Sequence, residues 1–154
     1  MPLVGRQTKY ESMVWLYANT QIETLPDDCV GFVYIITNNV SGRKYIGKKL
    51  AKFSKTSYRV VKFKNGTKKR KRIRSKIDSD WQLYYGSNEQ LNKDIAELGS
   101  DNFTREILFY CNSKAACSYI EAREQFNHRV LESDDYYNGQ IVCRIHGSHI
   151  KNKI

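Results

Sequence analysis

Two tyrosines stand 11 residues apart, Tyr34 and Tyr45, each in a short β-prone run, and a dense series of lysines and arginines begins just before the second. Far along the chain, Glu121 and Glu124 lie three residues apart in a stretch of helical character, which makes them neighbours on a helix surface. These residue types suit one reaction well. Phosphodiester hydrolysis needs an attacking water, relief of developing negative charge, and help for the leaving 3′ oxygen. A carboxylate that holds Mg²⁺ relieves the charge, and a Lys or Arg beside the phosphate adds electrostatic stabilisation. A tyrosine hydroxyl can orient the water, or deprotonate it if its surroundings lower its pKa from about 10.

The placement of charge points to a polyanion as partner. The 154 residues carry a net charge of +10. From Arg43 to Lys76 there are 16 Lys or Arg and no Asp or Glu, so the remainder of the chain is net acidic. The densest run is Lys68-Lys69-Arg70-Lys71-Arg72-Ile73-Arg74-Ser75-Lys76. Duplex nucleic acid carries about one charge per 1.7 Å of axis, and neutralising it releases counterions. Lys48, Lys68, Lys69, Arg70, Lys71, Arg72 and Lys76 are therefore expected to contact nucleic acid. The absence of an amphipathic helical period in this segment argues against a membrane surface.

The elements that must position these residues can be read in outline. Phe32–Thr37 and Lys44–Gly47 are two strands joined by the turn residues Asn38-Asn39-Val40-Ser41-Gly42-Arg43, a β-hairpin. The basic segment, about residues 50–78, reads as an inserted β-ribbon or loop: Ser57–Phe63 and Lys68–Ser75 flank the turn signal Asn65-Gly66. A short helix or turn over Asp80–Gly86 precedes a capping box at Ser87-Asn88-Glu89-Gln90, which opens a helix with Leu91, Ile95 and Leu98 on one face, closed by Gly99. Phe103–Tyr110 is a third strand. Asn112 or Ser113 caps a last helix over roughly 114–131, and an irregular tail follows. Before the hairpin, Met13, Val14, Leu16 and Tyr17 are expected to form one helical turn in an N-terminal extension, residues 1–30. The fold class is thus α+β: a small domain over 31–141, with a three-stranded antiparallel sheet flanked by helices, and a C-terminal tail over 142–154.

Val33-Tyr34 and Tyr45-Ile46-Gly47, taken with this order of elements, resemble the GIY-YIG nuclease superfamily. The runs Tyr45–Lys49, Ser79–Trp81, Tyr85–Ser87, Tyr119–Phe126 and Tyr136-Tyr137-Asn138 look most like the small, Seg-like phage endonucleases related to free-standing homing enzymes. The resemblance implies a metal-dependent endonuclease acting on double-stranded DNA with Mg²⁺ or Mn²⁺. It implies that Tyr34 is the candidate general base and that Tyr45 contacts the reacting phosphate or its water. A helix Glu would be the metal ligand and Asn138 a supporting polar residue. Glu121 fits the family's Tyr-x-Glu pattern and is preferred, whereas Glu124 shares a face with Ile120 and Leu131 and stays open as the alternate. The chain departs from the family in two ways. Phe32 precedes Val33-Tyr34, with Gly31 one residue earlier, where the motif has its first glycine. The basic insertion occupies the place of the family's first-helix Arg, for which Arg74 or Lys49 could substitute.

Other readings follow from the same residues. A catalytically silent nucleic-acid-binding module on this fold is one, and a basic RNA-binding protein is another, though the net acidic remainder argues against the latter. A duplex cut needs two scissions, which leaves open a homodimer or sequential nicking. Cys143-x-x-His146-x-x-His149 has only loose zinc spacing with no second Cys pair, and His146, His149, Lys151 and Lys153 read better as a polar tail near phosphate. No run of about 18 apolar residues exists to span a membrane. Without a secretory h-region, the four cysteines are expected to be reduced thiols in a cytoplasm, the host's if the chain is phage-encoded.

Overall fold

The computed structural model describes residues 14–154. The expected hairpin is β3 (Gly31–Asn38) and β4 (Lys44–Leu50), in register Tyr34 to Gly47 and Ile36 to Tyr45. Its turn closes as its residues dictate, with the Asn38 side chain accepting from the backbone of Val40 and Ser41. The basic insertion is a β-ribbon, β5 (Lys52–Lys62) and β6 (Lys68–Asp78), paired along its whole length. Gly66 turns it at φ 85°, a conformation that glycine adopts without a Cβ clash. At its base, Ala51 donates to the carbonyl of Val30 and Ser79 to that of Ala51, which ties the ribbon to the sheet.

Helix α1 (Glu89–Leu98) is capped by Asn88, whose side chain accepts from the backbone of Leu91. The expected Ser87 cap is thus one residue early: the Ser87 hydroxyl lies instead against that of Tyr45. Strand β7 (Phe103–Cys111) follows, then α2 (Lys114–Asn127), capped by Ser113 and ending a turn earlier than expected.

The three-stranded antiparallel core, β7-β3-β4, is present, and two short strands extend it. These are β1 (Trp15–Tyr17), parallel to β7, and β2 (Thr20–Ile22), giving the order β2-β1-β7-β3-β4. The expected helical turn over residues 13–17 is therefore corrected to a strand as far as the structure describes it; Met13 lies outside the described residues. Tertiary packing decides the matter. Trp15 is 1% exposed, packs edge-on against Phe32 and Tyr34, and donates its indole N–H to the carbonyl of Trp81 at 2.8 Å.

The sheet separates two apolar layers. One face carries Trp15, Phe32, Tyr34, Ile36 and Ile107 against Trp81 and Leu91. The other carries Val33, Ile46 and Cys111 against Ala116, Cys117 and Ile120 of α2. All four cysteines are free thiols. Among the described residues, no helix is long and apolar enough to cross a membrane.

Candidate active site

Strand alternation places Tyr34 and Tyr45 on the same face of the hairpin, with ring centroids 6.2 Å apart. Between their strands stands Gly47, paired with Tyr34, and a Cβ there would lie 2.6 Å from the Tyr34 hydroxyl oxygen. The absent side chain leaves room for that hydroxyl at the level of β4, which is the edge strand of the sheet.

The edge is covered by the tail. Lys44 accepts from the Tyr137 N–H and donates to the carbonyl of Asp135. Asn138 then behaves as a strand partner through its side chain: its Oδ1 accepts from the Ile46 N–H at 3.1 Å and its Nδ2 donates to the Ile46 carbonyl at 2.8 Å. Gln125 of α2 donates to the same carbonyl at 2.9 Å. An exposed sheet edge is thereby satisfied by two amides that also face a cleft.

That cleft, of about 450 Å³, is lined by Tyr45, Ser87, Asn88, Glu121, Gln125 and Asn138, with the tail residues Gly139, Gln140 and Val142. Glu121 comes from the helix on the opposite face of the sheet and meets Tyr45 around the β4 edge. Its carboxylate accepts from the Lys48 backbone N–H and lies near the Lys48 ammonium; burial pushes the carboxyl upward, and both Lys48 contacts oppose that rise. The Lys48 ammonium itself donates to Ser118 on α2. Lys48, expected at a nucleic-acid surface, is therefore a neighbour of the candidate carboxylate.

Burial also raises the pKa of both tyrosines, that of Tyr34 well above its ordinary value. Tyr34 is fully buried, and its hydroxyl lies beside that of Tyr84 and near that of Tyr45, though among the described residues no partner reaches it with full hydrogen-bond geometry. The raised values favour the phenol form, which donates and orients. Tyr45, half-buried and on the cleft wall, is the one in reach of a ligand.

Not every residue singled out by sequence comes to this place. The Glu124 carboxylate is engaged by Arg123 at 3.4 Å and by His128 at 3.6 Å, and it does not line the cleft. Arg74 lies in the ribbon opposite Thr56, outside the cleft lining. Lys49 shares the tyrosine face. Its ammonium sits 4.2 Å over the Tyr84 ring, which packs edge-on against Tyr34, and it pairs with Asp80 at 2.7 Å. Lys68, Lys69, Arg70, Lys71, Arg72 and Lys76 all lie exposed on the ribbon.

Sequence reading missed Gln125 and Arg105. Arg105 is 2% exposed and donates to the carbonyls of Gln82 and Tyr84, holding the segment that carries Tyr84; burial lowers its pKa to about 10. A lone Arg in a strand and a lone Gln in a helix give no sequence signal of such duty. The nearest hint is that Arg105 alternates with Phe103 and Ile107, at a core-facing position of its strand.

The family model described as "Putative endonuclease segE, GIY-YIG domain" matches residues 15–141. The match runs from the first residue of β1 to just beyond Asn138. No curated protein and no solved structure matches the chain.

Proposed function

The chain belongs to the GIY-YIG family of SegE type, and we propose that it is a metal-dependent endonuclease that hydrolyses phosphodiester bonds of double-stranded DNA. One observation carries this reading: Glu121, from one side of the sheet, and Tyr45, from the other, share a polar cleft at the β4 edge. The same strand, β4, leads at its far end into a basic ribbon suited to a polyanion.

The cleft's donor set fits Mg²⁺ or Mn²⁺. Among the described residues no cluster of three or more His, Cys, Asp or Glu could cage an ion. A single carboxylate is what a cation needs when it keeps most of its waters and takes its remaining ligands from substrate phosphate. Glu121 would hold it. When bound, the cation supplies relief of phosphate charge and a more acidic water.

The chain's own residues supply the rest. Tyr45, neutral and hydrogen-bonded to Ser87 at 3.3 Å, orients the attacking water or a phosphate oxygen. Asn138 and Gln125 fix the Ile46 peptide, and with it the strand that presents Tyr45 and Gly47. The Lys48 backbone aims the Glu121 carboxylate. Lys49 lies on the tyrosine face but outside the cleft lining, its ammonium held between Asp80 and the Tyr84 ring. Incubation with supercoiled plasmid in Mg²⁺ or in EDTA tests the proposal: nicked or linear product in Mg²⁺ alone is expected, and none under either condition sinks it.

A further inference from the structure

Strand pairing puts the three arginines of the second ribbon strand on one face. Opposed residues share a face, so one face presents Thr56, Tyr58 and Val60 of β5 with Arg74, Arg72 and Arg70 of β6 at its middle, and Lys52, Lys62, Lys68 and Lys76 towards its ends. The other face presents Lys55, Ser57, Arg59 and Val61 with Ser75, Ile73, Lys71 and Lys69. All three arginines of β6 thus project to one side, and Lys69 and Lys71 between them to the other. The Arg70 guanidinium stacks 4.2 Å over the Tyr58 ring, which holds its plane while leaving its edge free to donate. No carboxylate among the described residues forms a salt bridge with any of the three.

The fork of an arginine fits a phosphate bidentately and can also fit a base edge, whereas a lysine offers a point charge. Base edges differ: a guanine offers O6 and N7 to the fork of an arginine, and a thymine methyl takes an apolar contact. The dimensions agree. Alternate residues of a strand are about 6.6–6.8 Å apart, close to two base-pair steps. A two-stranded ribbon fits the major groove, about 12 Å wide, and 11 residues extend roughly 36 Å, near one turn of duplex.

We propose that the face bearing Arg70, Arg72 and Arg74 enters the major groove of duplex DNA and reads guanines at alternating steps, so that the ribbon sets the nuclease's sequence preference. The proposal rests on the DNA-cleaving reading above for its ligand. Val60, exposed beside Arg70, provides an apolar contact for thymine. The lysines of both faces contribute charge without sequence information.

The test uses the full chain in EDTA, with binding measured over a salt series. A preferred duplex is first selected from a randomised library, and affinity for it is compared with that for a scrambled duplex. The combined variant Arg70→Lys, Arg72→Lys, Arg74→Lys keeps every charge. It should hold its affinity for the scrambled duplex and its salt slope, while its preference falls by roughly 5- to 150-fold for each guanine that is no longer read. The variant Lys55→Gln, Lys69→Gln, Lys71→Gln should bind both duplexes more weakly, with a shallower salt slope and the preference ratio intact. Replacing guanine with 7-deazaguanine in the selected duplex removes N7 and leaves O6, so it should weaken the preference of the unaltered protein, a result independent of how any variant folds. A preference that survives both the arginine exchange and 7-deazaguanine overturns the inference, as does a selection that returns no guanines. Failure of the unaltered protein to bind any duplex at low salt would instead overturn the DNA reading on which the inference stands.

Discussion

The hydroxyl of Tyr34 occupies the space that a side chain at residue 47 would fill: a Cβ on Gly47 would lie 2.6 Å from that oxygen and 2.9 Å from the ring carbon bearing it. The second glycine of the motif is thus a steric partner of its first tyrosine across the hairpin. Gly47→Ala should cost about 1–3 kcal/mol, as overpacking does in a close-packed interior, and should depress cleavage by moving the Tyr34 ring. Tyr34→Phe removes the nearest clashing atom, so the two substitutions together should cost less than their separate sum. Denaturant melts of both single variants and the double variant measure this coupling, and strict additivity would refute the contact.

The two helix glutamates should separate cleanly. Glu121→Gln keeps the shape and the hydrogen bond from Lys48 but removes the charge. Cleavage should fall by orders of magnitude while binding to duplex persists. Glu124→Gln disturbs only the contacts with Arg123 and His128 and should leave cleavage within a few-fold. The reverse pattern in a plasmid-nicking assay would move the metal site to Glu124.

Trp15 anchors β1 in the core through its burial, its indole hydrogen bond and the Arg105 guanidinium 4.6 Å from its ring. Trp15→Ala should destabilise the protein by about 3–5 kcal/mol, the usual range for removing a large buried aromatic. Thermal unfolding shows it directly. A loss below about 1 kcal/mol would mean that the segment before residue 31 is an accessory to the fold.

The Tyr137 hydroxyl donates to Asp94 of α1 at 2.6 Å and accepts from Asn38 at 3.0 Å, which pins the residue next to Asn138. The Tyr137 hydrogen bond, with a second from Gln90, holds the Asp94 carboxyl below its usual 3.8. A depressed carboxylate contributes stability that is present above its unfolded pKa and lost as pH falls through the folded value. Tyr137→Phe should cost about 1 kcal/mol near neutral pH, mainly because the buried Asn38 amide loses its acceptor, the Asp94 share being reduced by solvent screening. The gap between the two proteins should narrow below pH 3.8, as urea melts at pH 7 and pH 3 would reveal. A gap of constant size would assign the loss to packing instead.

Local chemistry wrote much of this molecule into its sequence. The turn residues from Asn38 to Gly42 and the register they impose put Tyr34 and Tyr45 on one face, because strand side chains alternate with a period of two. Asn65-Gly66 and the flanking runs specify the ribbon in the same way, and once paired, the alternation of Lys68–Lys76 sorts its arginines. Each of these depends on neighbours only a few residues away. The remainder depends on contacts between distant segments. Strands β1 and β2 are three residues each, too short for a period of two to be told from a period of 3.6, so only the docking of Trp15 fixes them as strands. Glu121 and Glu124 both look like helix-surface carboxylates. What separates them is how α2 crosses the sheet, which puts Glu121 in the cleft at the β4 edge and leaves Glu124 with Arg123 and His128. Asn138 completes the hydrogen bonding of Ile46, 92 residues away. A residue's type declares what it can donate or accept, but which backbone it finds is decided when loops close and layers pack, and that free energy belongs to the whole chain.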